Sequence, residues 1–137
     1  MASPITVQHS TTHVNIKDRL SEPVLFTGST YNILTDERTT WTCTISFQSF
    51  VSHTIDYTAY QLNGYGHSEW RTTDELSYMI IGTMNCKSGA GKLCKHYFDD
   101  DTLEQYTILY TFQLYMLQNK LHMNLCSDIA AGTLIAS

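Results

Sequence analysis

The hydrophobic pattern of this chain has a period of two almost wherever it has a period at all. In TTWTCTISFQ, Trp41, Cys43, Ile45 and Phe47 alternate with Thr42, Thr44, Ser46 and Gln48. That spacing predicts a strand with one apolar face and one wet face. In YTILYTFQLYML, Tyr106, Ile108, Tyr110, Phe112, Leu114 and Met116 share one face. Wound as a helix, the segment would spread its apolar groups all round and crowd β-branched side chains against preceding turns, so a long strand is predicted. QNK then reads as a turn into LHMNL, where Leu121, Met123 and Leu125 alternate again. Further strands are predicted over 5–16, 23–34, 54–62, 67–72, 76–84 and 132–136. Between two of these, the Asn63–Gly64 pair of LNGYG predicts a tight hairpin turn, because both residues accept positive φ. An acidic cap before TLEQY allows at most one short helix, near 99–105.

Strands recurring at roughly ten-residue spacing predict an all-β fold: a jelly-roll-like antiparallel β-sandwich or barrel. The 137 residues carry no repeat, no low-complexity tract and only two prolines, so the chain reads as one domain over 1–137. Abundant Thr, Ser and Tyr suit a half-exposed pleated surface. No apolar run approaches the length of a membrane-spanning helix. The first residues, MASPITVQHSTTH, lack the basic and apolar regions of a signal peptide. The expectation is a cytoplasmic chain, or a mature secreted form behind an added initiator Met.

A formal net charge of −5 argues against general nucleic-acid binding, which needs clustered Lys and Arg. Against that background one segment, NCKSGAGKLCKHYFDDD, is locally basic. It is not a phosphate-binding P-loop: Cys86 stands where the first glycine belongs, and Leu93 where the metal-ligating hydroxyl belongs. Cys86 and Cys94 do not have the two-to-four spacing of zinc knuckles, and no metal or other cofactor is predicted. If the segment is a hairpin loop, a Cys86–Cys94 disulfide is within geometric reach. Lys87, Lys92 and Lys95, three of five lysines, surround a Ser-Gly-Ala-Gly run similar to an anion nest. They are candidate ligand contacts. Cys43, in phase with Trp41, is expected to be a buried small hydrophobe, and Cys126 falls out of phase with Leu121, Met123 and Leu125.

A second constellation is YGHSEWR. On a strand, Tyr65, His67, Glu69 and Arg71 share a face, and a His, a carboxylate and an Arg can divide acid, base and anion-stabilising roles. That inventory is similar to the one microbial guanyl-type ribonucleases spread over several strands; no motif of that family is matched. With no nucleophile elbow and no Cys–His signature, the leading expectation is a non-enzymatic binding β-domain. Such a domain would be lectin-like or an accessory protein, engaging a protein or glycan through Tyr57, Tyr60, Tyr65 and Trp70. The alternatives are a small metal-independent nuclease or hydrolase using His67, Glu69 and Arg71, and a structural or assembly subunit that forms a homo-oligomer.

Overall fold

The computed structural model describes residues 16–51, 58–70, 75–98 and 105–137. Its strands are β1 (Val24–Asn32), β2 (Arg38–Val51), β3 (Thr58–Trp70), β4 (Glu75–Asn85), β5 (Ala90–Phe98), β6 (Gln105–Leu117), β7 (Lys120–Cys126) and β8 (Ala130–Ala136). Each pairs antiparallel with the next, and β8 returns to β1, closing the barrel. The expected sandwich or jelly roll is thus replaced by an up-and-down barrel; the "barrel" half of the expectation holds. Sequence alternation specifies wet and dry faces but not whether the last strand finds the first, and that closure decides between the two architectures. The short helix expected near 99–105 lies almost wholly outside the described residues, as does most of the 5–16 strand. Ile16–Arg19 form one helical turn, whose Ile16 carbonyl accepts from Leu20.

We call the end carrying the β1–β2, β3–β4, β5–β6 and β7–β8 connections upper. Leu20 is buried at the lower end, and Ile16 packs against the core beside it. The core includes the inward set predicted for β2 and β6: Trp41, Cys43, Ile45 and Phe47, with Tyr110, Phe112 and Leu114 buried and Ile108 and Met116 packed half-buried against them, while the Tyr106 side chain lies outside the described residues. Leu121, Met123 and Leu125 join it from β7, and the other strands add Phe26, Leu62, Tyr78, Ile80, Leu93 and Leu134. An eight-stranded barrel is just wide enough for its own side chains to fill, and here the inside is taken by large groups, Trp41, Tyr78 and Phe26 among them. Outward positions such as Thr27, Thr42, Gln48, Gln61, Thr111 and Asn124 are exposed. Among these polar positions the outer face also carries exposed apolar side chains, Leu25, Met79, Ile81, Leu109 and Ile135 among them. No helix of the described residues is long and apolar enough to cross a membrane.

Two turns illustrate local control. Gln118 and Asn119 both have positive φ (50° and 65°), giving the two-residue hairpin between β6 and β7 that QNK predicts. Asn63–Gly64, by contrast, is no turn: β3 runs straight through it, paired to Ile45 and Ser46 on one side and to Ile80 and Ile81 on the other. The glycines of LNGYG serve close approach instead. A Cβ on Gly66 would lie 2.3 Å from the Thr42 carbonyl oxygen and 2.6 Å from Cys43 Cβ. Without side chains at these inward positions, β3 comes against β2 where Trp41 and Cys43 already fill the lumen.

Gly66→Ala is expected to lower the unfolding free energy by about 2–3 kcal/mol, the range of an overpacked core. The outward neighbour Tyr65→Ala should change it by under about 1 kcal/mol. Urea denaturation of the two variants checks the contrast.

Candidate functional site: a caged lysine inside the barrel

The basic segment resolves into a hairpin. Asn85 ends β4, and its side-chain oxygen accepts from the backbone N–H of Lys87 (2.8 Å) and Ser88 (3.2 Å). Its carbonyl accepts from Gly89, which has φ 73°. The Ser88 hydroxyl takes the Ala90 N–H. The donors that an anion nest would offer are thus consumed within the turn, which overturns the nest. The disulfide is overturned as well. Cys94 lies opposite Ile81 in the β4–β5 ladder, while Cys86 lies beyond the end of β4. At about 3.3 Å per residue that is roughly 15 Å along the strand, against the ~7 Å limit for bridging. Both thiols are free.

The three lysines also part company. Lys87 is exposed in the turn and Lys92 is exposed on the outer face, whereas Lys95 is 0 % exposed inside the barrel. The period-two rule places it there: Leu93, Lys95 and Tyr97 alternate with Cys94 and His96, so Lys95 belongs to the apolar phase. A surface contact through Lys95 is therefore corrected to a core position. Its dispersal from Lys87 and Lys92 leaves no three-lysine cluster.

Around Lys95 the upper half of the lumen is aromatic and sparsely polar. Its Nζ lies 3.6 Å from the Trp41 ring centroid, 4.4 Å from that of Tyr78 and 4.6 Å from that of Tyr97. Nζ donates to Ser68 Oγ at 2.8 Å. The rings of the cage pack on one another: Trp41 meets Tyr78 and Tyr110 edge-on at 5.6 and 5.3 Å, and Tyr78 meets Tyr97 at 5.6 Å. Trp41 Nε1 is anchored to Thr30 Oγ1 at 3.0 Å. Strand register brings these groups together, since Trp41 pairs with Ser68, and Tyr78 with Tyr97.

The electrostatics favour neutral groups throughout. Burial pushes the Lys95 amine down to about 6, with the nearby Cys43 pulling weakly the other way. The ring faces also favour an ammonium, but among the described residues no carboxylate is buried with it. Desolvation therefore dominates. Burial likewise pushes the Cys43 thiol up to about 11 and the Tyr110 hydroxyl up to about 12. Tyr78 is raised further, again chiefly by burial. Its hydroxyl has Ser68 and Cys43 for neighbours yet makes no hydrogen bond of ordinary geometry.

The other predicted site residues scatter. Tyr65, His67 and Glu69 do share a face, but it is the convex outside of β3, where Tyr65 is 67 % exposed and the His67 ring meets the Ser77 hydroxyl at 3.4 Å. Tyr60 is buried in the core. Tyr57, Arg71 and the Trp70 side chain lie outside the described residues. No family model, no curated protein and no solved structure matches the chain.

Two pH-linked outcomes follow. Lys95 is depressed on folding, so its contribution is complete above pH 10.5 and lost as pH falls toward 6. At pH 7.5 some three units of that loss are in force, at about 1.4 kcal/mol each. Lys95→Met, which fills the same space without a titrating group, is expected to stabilise the barrel by about 2–4 kcal/mol at pH 7.5. Cys43 has the opposite sign: raised from 9.0 to about 11, it costs stability only as pH climbs through that interval. Between pH 9 and 10 this loss offsets the gain from Lys95, so Cys43→Ala should turn a level stretch in a pH series of denaturation midpoints into a rise.

Proposed function

We propose that the chain is a non-catalytic binding domain that engages a protein partner across the outer face of β3–β6. The supporting observation is a lateral row of outward apolar residues. Ile81 lies directly opposite Cys94, and Cys94 directly opposite Leu109, so three neighbouring strands present one apolar band. Ile81 and Leu109 are 52 % and 58 % exposed. With Phe50, Gln61 and Lys92 they line a shallow groove of about 300 Å³. Large aliphatic groups on a strand exterior otherwise rich in Thr, Gln and Asn are the signature of an interaction surface. A mainly aliphatic lining, to which Phe50 adds a ring, favours a protein over a glycan.

The full interior supports the same assignment, because the side chains that fill it leave the recognition work to the outside. Closure supports it too. A barrel without edges does not recruit partners by strand addition, so side chains must supply the contact. The hydrolase alternative has less behind it, since His67 and Glu69 stand exposed on the outer face of β3. A second exposed apolar spot, Ile33, Leu34 and Ile129, sits on connections rather than strands and offers a less rigid platform.

A displayed random-peptide library selected on the wild-type domain should yield apolar sequences whose binding falls at least tenfold in Ile81→Lys and is unchanged in Lys87→Glu. Selection of charged sequences, or of none, would overturn the proposal. Sedimentation should report a monomer; a dimer abolished by Ile81→Lys would make the partner a second copy.

A further inference from the structure

Lys95 is the most polar side chain in the lumen, and its placement destabilises the barrel at neutral pH. A buried methionine or leucine would fill the volume at no such cost. We propose that Lys95 is a proton-sensitive latch: as pH falls, the amine gains more by leaving its aromatic cage and taking up a proton in water, and the barrel opens around β5.

The geometry fits a latch. Nζ has one hydrogen-bond partner, Ser68 on β3, and three ring faces from β2, β4 and β5. The titratable groups facing it are Cys43 on β2, Tyr78 on β4 and Tyr97 on β5, with Tyr110 on β6 closing the layer behind Trp41. All are acids whose neutral form is favoured by burial, so none supplies a negative charge below pH 9. β1 contributes Thr30, while β7 and β8 line the lumen with Leu121, Met123, Leu125 and Leu134. Among the described residues, His67 stands on the outer face and His122 lies alongside Tyr115, away from the cage. Nothing in the described cage can neutralise an ammonium.

Linkage sets the form of the response. In the closed state the amine stays neutral down to about 6, while in any open state it meets water and binds its proton below 10.5. Between those limits each unit of acidification raises the open-to-closed ratio about tenfold, and below pH 6 both states are protonated and the ratio is level. From pH 8, where Cys43 and the tyrosines keep their protons in both states, to pH 6 the change amounts to about a hundredfold.

Hydrogen exchange of the full chain, followed by mass spectrometry on peptides covering β4 and β5, reads this directly. After correction for intrinsic exchange rates, protection in the wild type should fall about tenfold per pH unit from 8 to 6 and then level off. In Lys95→Met it should stay flat over that range. Flat protection in the wild type overturns the latch, and so does an equal slope in Lys95→Met, which would place the titrating group elsewhere. Because Lys95→Met removes a destabilising group, it is expected to fold, and a flat, high protection profile certifies that it has. The peptide-binding measurement on the outer face is independent, so failure of either proposal leaves the other standing.

Discussion

Closure of the sheet is the constraint on which everything else depends. Once β8 pairs with β1, every second residue of each strand points into a lumen whose width is set by eight strands and cannot adjust to its contents. Side chains must fill that volume and no more. Gly64 and Gly66 on β3, opposite the bulky β2 residues, and the run of Leu and Met on β7 answer that demand from opposite sides of the barrel. It also removes the unpaired edges that would otherwise template aggregation.

The same constraint explains how a lysine comes to be tolerated inside. Its stem occupies lumen volume as a hydrocarbon would, and the tip needs only a hydroxyl and ring faces if it surrenders its proton. The rings of Trp41, Tyr78 and Tyr97 and the hydroxyl of Ser68 provide that surrounding. The arrangement works by keeping an entire layer uncharged: Cys43, Tyr78, Tyr97 and Tyr110 hold their protons more firmly than in water, while Lys95 gives its proton up more readily. One burial effect thus moves acids up and the base down.

Much of this was legible in the sequence, and the failures share a cause. Alternation in β2, β6 and β7 identified the core faces among the described residues, with Ile108 and Met116 only half-buried, because a strand buried on one side writes its orientation in period two. Asn63–Gly64 misled because its turn chemistry is local, whereas the packing of β3 against β2 that requires the glycines is tertiary. Lys95 misled for a related reason. Residue type pointed to the surface, and three lysines in nine residues suggested a cluster, while the phase of Leu93, Lys95 and Tyr97 pointed inward. Here phase prevailed over type. The Cys86–Cys94 proximity assumed a loop, but a strand carries the second thiol away. Closure itself had no local signature at all.

Phase also links the inside to the outside. On β5 the lumen side carries Leu93, Lys95 and Tyr97, and the exterior carries Lys92, Cys94 and His96 in the intervening positions. Cys94 forms the centre of the apolar row, one residue from the caged amine. The backbone that orders Lys95 between Tyr78 and Tyr97 is therefore the backbone that aligns Cys94 between Ile81 and Leu109. A strand whose two faces are paired to the same neighbours cannot loosen on one side alone. The caged amine and the outer row are therefore held in place by one and the same ladder of β4, β5 and β6.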